Sequence, residues 1–250
     1  MKKLLQRALA WMGLQIIRTQ GRYAQDGFVT IHSDRFRDTS RFVEAYGRGL
    51  KASAGVDPQF EWRVHVALWA ATMGLRVPGD FVECGVNAGF MSSAVMHHLQ
   101  WRAIDRRFYL VDTFAGPPLK QYDASEVARG RRRLAEEALQ AGAYVTDIDR
   151  VRQTFAEWPN AIVVQGVVPD ILPMVRADAI AFLHIDMNCA YPERAAFEFF
   201  WSRLSPGAVV LFDDYGNRGH EAQGMAIDAA AASLGAHVLA LPTGQGIVIK

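Results

Sequence analysis

Only five residues, 241–245, separate two apolar runs at residues 237–240 and Gly246–Ile249. A parallel crossover needs a dozen residues or more, so these two runs must pair antiparallel. Five further runs rich in Val, Ile and Phe precede them, at residues 81–84, 108–111, 161–164, 180–185 and 208–212, with helical stretches between. Such runs lack polar alternation, which means burial on both faces and a mainly parallel sheet covered by helices. The expected fold class is α/β: a Rossmann-like, seven-stranded, mainly parallel sheet with an antiparallel last strand and helices on both faces.

Residues 1–78 read differently, as an N-terminal helical extension to a sheet domain at 79–250. Over residues 40–74 the spacing predicts helix, with Phe42, Tyr46 and Leu50 on one face and Trp62, Val66, Trp69 and Met73 on another. Residues 1–19 carry Lys2, Lys3 and Arg7 with Leu5, Leu9, Met12 and Ile16 at helical spacing, an amphipathic basic helix. Gln6, Arg7, Gln15 and Arg18 interrupt it too often for a membrane span, and it lacks the apolar block of a signal peptide. It is expected to pack on the domain or on a second subunit of a homo-oligomer, with weak membrane-surface contact as the alternative. Basic residues (27) balance acidic ones (26), so no global field draws the chain to nucleic acid. Cys84 and Cys189 have no CxxC spacing, which suits a cytoplasmic protein.

The first chemical signal is the loop Glu83-Cys84-Gly85-Val86-Asn87-Ala88-Gly89, between the first run and a helix beginning at Phe90. Gly85 permits a tight turn and Gly89 lets backbone approach a ligand at the helix start. The pattern is E-x-G-x-x-x-G; the middle glycine of the dinucleotide fingerprint is missing. An acidic residue at the head of the loop disfavours phosphate and suits an amino group, as in the methionine moiety of S-adenosylmethionine. Asp112 ends the second run, where a carboxylate can accept the two ribose hydroxyls of an adenosine or simply cap a turn. Asp186 and the pair Asp213-Asp214 end the fourth and fifth runs. Carboxylates converging there repel one another unless a cation is present or one is protonated, and all-oxygen ligands favour Mg²⁺. His184 reads as a core histidine, and His220 as a general base or a loop residue.

Together these stretches resemble the macrocin-type (TylF-like) O-methyltransferases. The resemblance rests on Phe81-Val82-Glu83-Cys84-Gly85, Val111-Asp112-Thr113-Phe114, Leu183-His184-Ile185-Asp186, Leu204-Ser205-Pro206-Gly207 and Phe212-Asp213-Asp214-Tyr215-Gly216, from about Gly79 onward. It implies a class I methyltransferase fold, S-adenosylmethionine as methyl donor, and often Mg²⁺, whose ligands fall on Asp186, Asp213 and Asp214. The cofactor is then expected against Glu83, Gly85, Asn87, Gly89, Asp112, Thr113, Phe114, Gly166 and Asp186, with Asp186 and His220 as catalytic groups. One departure stands out: the family's D-x-D-x-Y is here Asp186-Met187-Asn188-Cys189-Ala190-Tyr191, with Asn188 in place of the second Asp and one extra residue. The implied activity is O-methylation of a hydroxyl on a sugar, a glycan or a glycosylated natural product. A non-catalytic cofactor-binding module and a nucleotide-binding oxidoreductase are the alternatives. Residues 20–55 and 115–143 are expected to close the substrate side, with Tyr23, Phe28, Phe36 and Tyr122 as candidate faces for sugar rings.

Overall fold

A computed structural model describes residues 2–14, 20 and 22–250. Helix α1 (Lys2–Trp11) precedes a small antiparallel hairpin, β1 (Tyr23–Gln25) and β2 (Phe28–Thr30). Helices α2 (Ser40–Ala52) and α3 (Glu61–Gly74) follow. The central sheet then alternates with helices: β3 (Asp80–Cys84), α4 (Phe90–His98), β4 (Phe108–Asp112), α5 (Ala124–Ala128), α6 (Arg131–Gln140), α7 (Ile148–Phe155), β5 (Ala161–Gln165) and β6 (Ile180–Ile185). The closing elements are α8 (Ala190–Trp201), β7 (Leu204–Phe212), α9 (Glu221–Ser233), β8 (Leu239–Ala240) and β9 (Gly246–Ile249).

The seven strands lie in the order β5-β4-β3-β6-β7-β9-β8. β3 pairs in parallel with β4 and β6, while β9 runs antiparallel between β7 and β8. The short link ahead of β9 thus makes the antiparallel hairpin that its length demands. Strand order reverses between β3 and β6, and ligands of open α/β sheets bind at such a switch point, outside the carboxyl ends of the strands.

Side-chain alternation sorts the core into two layers. Phe81, Leu110, Phe182 and Leu211 pack with Phe42, Tyr46, Val64, Phe90 and Trp101 on the side of α2, α3 and α4. Val82, Tyr109, Leu183, Ile185 and Phe212 pack with Phe197, Phe200 and Ile227 on the side of α8 and α9. Residues 40–74 therefore share the core of the sheet. Their helix is broken, however: Ala54 and Gly55 take positive φ, and the Gly55 amide closes the end of α2 on the Leu50 carbonyl at 2.7 Å. The intervening turn carries Val56, Pro58 and Phe60 to the ligand end of the sheet. α1 ends at Trp11; Ile16 of the expected amphipathic pattern lies outside the described residues. Among the described residues, no helix is long and apolar enough to cross a membrane.

Candidate active site

The carboxyl ends of β3, β4 and β6 open into a cavity of about 490 Å³. Glu83, Gly85 and Asn87 line it from the loop after β3, Asp112 and Thr113 from the end of β4, and Gly166 from beyond β5. Asp186, Met187 and Asn188 follow β6, and Asp213 follows β7. Gly116, Pro117 and Tyr144, from the long segment between β4 and α7, supply another wall.

The loop after β3 is held by its neighbours. The Gly85 amide donates to the Val111 carbonyl at 2.8 Å, while the Asp186 amide donates to the Cys84 carbonyl at 2.8 Å. Asp112 staples the loop to β4. Its Oδ2 accepts from the Val86 and Asn87 amides at 2.7 and 2.8 Å, and its Oδ1 accepts from the Phe114 amide at 2.8 Å. A carboxylate has about four lone-pair sites, so this turn role leaves room for a ligand hydroxyl. Asn87 bridges to the covering segment: its Nδ2 donates to the Ala143 carbonyl and its Oδ1 accepts from the Val145 amide. Thr113 bonds the Gly116 carbonyl. Phe114 departs from the expected cofactor set, since its ring is buried in the core beside α4 and is not part of the cavity wall.

Glu83 and His184 are register partners on β3 and β6, and His184 Nδ1 lies 2.8 Å from Glu83 Oε1. Glu83 Oε2, buried in the cavity wall, has no hydrogen-bond partner among the described residues. His184 is therefore more than a core histidine. Its Nε2 lies 3.7 Å from Asp213 Oδ1. Burial disfavours the imidazolium, yet Asp213 and Glu83 on either side raise its pKa well above the ordinary value. Burial likewise opposes ionisation of Asp213, but His184 and Arg63 hold its carboxyl well below the usual range. Asp186 goes the other way: burial, then the charges of Asp213 and Asp214, push its carboxyl well up. The turn that presents Asp186 is fixed by the fully buried Glu193, whose Oε1 accepts from the Met187 and Asn188 amides at 2.8 and 2.9 Å. Burial pushes Glu193 itself up to about 8.

The acidic pair carries a residue that the sequence pattern did not single out. Arg63, on the first turn of α3, directs Nη1 to Asp213 Oδ2 at 2.8 Å, to the Asp213 carbonyl at 3.1 Å and to Asp214 Oδ1 at 3.0 Å. Gln245 Nε2 donates to Asp213 Oδ1 at 2.8 Å, and Asn217 Nδ2 to Asp214 Oδ1 at 2.6 Å. These side chains do not fit the metal expected on Asp186, Asp213 and Asp214. N–H donors cover both oxygens of Asp213 and one of Asp214, and a guanidinium already supplies the cation. Among the described residues, no group of three or more His, Cys, Asp or Glu side chains is arranged to hold a metal ion. The donor-only chemistry of arginine is what displaces that expectation.

His220 is buried against Gln223, with Nδ1 at 2.9 Å from Gln223 Oε1 and 3.6 Å from Asp214 Oδ2. It forms no part of the cavity wall. The candidate sugar platforms are elsewhere as well. Tyr23, Phe28 and Phe36 pack edge-on to Trp62, and Phe36 stacks on His65 at 4.0 Å. Tyr122 is buried beneath the covering segment. Apolar packing has taken these aromatics, and Tyr144 and Phe60 face the cavity instead.

Residues 66–229 match the family model of the TylF macrocin-O-methyltransferases. The chain belongs to that family. A relative from Streptomyces olivaceus, 8-demethyl-8-(2,3-dimethoxy-alpha-L-rhamnosyl)-tetracenomycin-C 4'-O-methyltransferase, is 31% identical over 147 residues. The match covers 56% of this chain, which spans only about half (54%) of that relative's length. Among solved structures, the O-methyltransferase NovP superposes with a TM-score of 0.62 at 20% identity, covering 75% of this chain and 79% of that one. The calicheamicin methyltransferase CalS11 superposes with a TM-score of 0.58 at 17% identity, covering 91% of this chain and 96% of the other. The fold of this TylF-family chain is thus shared with known O-methyltransferases, as the resemblance of its motifs implied.

Proposed function

We propose that this chain transfers the methyl group of S-adenosylmethionine to a hydroxyl on the sugar of a glycosylated small molecule. The observation that carries this reading is the buried, unpartnered Glu83 Oε2 in a cavity lined by four carboxylates (Glu83, Asp112, Asp186 and Asp213) and one guanidinium, Arg150. Such a wall repels phosphate and suits a ligand with an ammonium and a sulfonium. It disfavours a dinucleotide oxidoreductase. The named activity of the Streptomyces olivaceus relative, on a rhamnosyl group, supports the sugar as acceptor class.

When bound, S-adenosylmethionine supplies an already activated methyl carbon, so alignment and proton removal remain for the protein. Glu83 Oε2 would accept from the ligand ammonium, and Asp112 would take one ribose hydroxyl with its remaining lone pair. Asp186 stands in the cavity wall as the group that removes the acceptor's proton. Its carboxyl is held high by burial and by Asp213 and Asp214, which makes it a better base than an exposed aspartate. Arg63, Gln245 and His184 fix Asp213.

The test is calorimetric titration with S-adenosylmethionine, followed by mass-spectrometric detection of methyl transfer to a panel of O-glycosides. Micromolar binding with transfer to a sugar hydroxyl is the expected result. Binding without transfer to any member indicates a non-catalytic module, and absence of binding overturns the reading. A narrower prediction follows from Glu83. Glu83→Gln weakens S-adenosylmethionine about 10- to 100-fold, the scale of one hydrogen bond to a charged group. Affinity for 5'-methylthioadenosine, which lacks the amino acid moiety, stays within threefold. Equal losses for both ligands place the ammonium elsewhere.

A further inference from the structure

The acidic end of this sheet is built around a cation that the chain itself supplies. Arg63 Nη1 touches three oxygens, two from Asp213 and one from Asp214, within 2.8–3.1 Å. The opposite edge of the same guanidinium is clamped by Asp26 at the turn between β1 and β2: Nε donates to Asp26 Oδ2 at 2.6 Å and Nη2 to Asp26 Oδ1 at 3.3 Å. Arg63 is buried, so it cannot leave the acidic pair without breaking the link to the hairpin and uncovering three carboxylates. Gln245 and Asn217 fill further acceptor positions on Asp213 and Asp214 with amide N–H groups. A divalent ion bound to the same oxygens would meet both N–H donors and a fixed positive charge.

We propose that Arg63 takes the position of a divalent cation in this site, so that the chain binds no catalytic metal and works without one. Arg63 lies outside the cavity wall and acts on the reaction through Asp213 and Asp214; it is a positioning residue. Its hydrogen bonds hold that pair in place, and Asp186 is left as the carboxyl facing the acceptor. The proposal also gives the N-terminal segment a role. The hairpin and α3 complete the electrostatics of the sheet's ligand end, through Asp26 and Arg63. The idea rests on the methyltransferase reading for its catalytic part, but the metal-binding part stands apart from it.

The test uses the full chain and Mn²⁺ as an electron-paramagnetic probe, in the presence of saturating S-adenosylhomocysteine. The native chain leaves Mn²⁺ free up to millimolar concentration. Arg63→Met, which removes the charge at similar length, binds Mn²⁺ at least tenfold more tightly. Arg63→Lys keeps a positive charge there and shows no such gain. A merely structural arginine, lost by mutation, gives no gain of metal binding. In parallel, methyl transfer by the native chain stays within twofold after exhaustive EDTA treatment. Arg63→Met loses at least tenfold, and added Mg²⁺ or Mn²⁺ restores part of it. Submicromolar to micromolar Mn²⁺ binding by the native chain, or loss of transfer with EDTA, overturns the proposal even if Arg63→Met does not fold. Mn²⁺ results as expected in a chain that transfers no methyl group overturn the methyltransferase reading and leave the cation assignment standing.

Discussion

Gly85→Ala destroys cofactor binding. Gly85 has φ +93°, and a Cβ there would lie 1.7 Å from the Asp186 carbonyl oxygen and 2.5 Å from its carbon. Both obstacles are backbone, and neither can rotate away. The loop cannot back off with its hydrogen bonds intact either, because its amide is tied to Val111 on β4 while the Asp186 amide, just after β6, is tied to Cys84 at the end of β3. A left-handed non-glycine residue costs about 1–3 kcal/mol, and overpacking of a rigid contact about as much again. The loop relieves this strain, on the order of 4 kcal/mol, by leaving its ligand-binding shape, and regaining that shape on binding corresponds to up to roughly a thousandfold loss of affinity for S-adenosylhomocysteine, measured by calorimetry. Gly89→Ala provides the contrast. Its φ is +86°, but the Cβ meets only the Phe155 ring, at 2.5 Å, and a side chain can yield. That variant is expected to lose about thirtyfold, the low end of the same two costs. An alanine at Gly85 that binds within threefold of the native chain would sink the proposed loop geometry.

How much of this was legible in the sequence depends on what kind of contact carries each feature. The strands announced themselves because burial on both faces leaves unbroken apolar runs, and the five-residue link before β9 forced its direction. Glu83 and the glycines were legible because a loop between strand and helix has its own chemistry. The pairing of Glu83 with His184 was not, since register across parallel strands is a tertiary property. Arg63 was hidden for a related reason. A single arginine in the first turn of an apolar helix reads as a solvated position, and only the hairpin turn at Asp26 and the sheet end at Asp213 make it central. Gln245 sat inside the very link that fixed the topology, where it reads as turn filler, yet it is fully buried against Asp213. The hairpin β1–β2 has strands of three residues, too short for alternation to show. The aromatics Tyr23, Phe28 and Phe36 looked available as sugar platforms, but they bury themselves against Trp62 before any ligand can use them.

Asp186→Asn separates chemistry from binding at the same site. The amide keeps nearly the same volume and its oxygen can still accept from Asn188 Nδ2, which donates to Asp186 Oδ1 at 3.3 Å. The turn itself is held by Glu193 through backbone amides, so the fold of residues 186–188 does not depend on the Asp186 carboxylate. What the variant loses is the basic oxygen in the cavity wall. A positioned general base contributes typically 10²–10⁴-fold, so kcat falls by about that factor while S-adenosylhomocysteine affinity shifts by less than about tenfold. Asn188 sharpens the point: with no second carboxylate two residues on, Asp186 has no acidic neighbour in its own turn to take over the proton. Single-turnover transfer, with cofactor prebound, is the decisive measurement because it excludes product release from the rate. A rate within threefold of the native chain would move the base away from Asp186. The remaining cavity carboxylates are already engaged, Asp213 by Arg63 and Gln245, Asp112 by the amides of the glycine loop and Glu83 by His184. Proton removal by water would then be the route left open, and Asp186 would serve only to orient the acceptor.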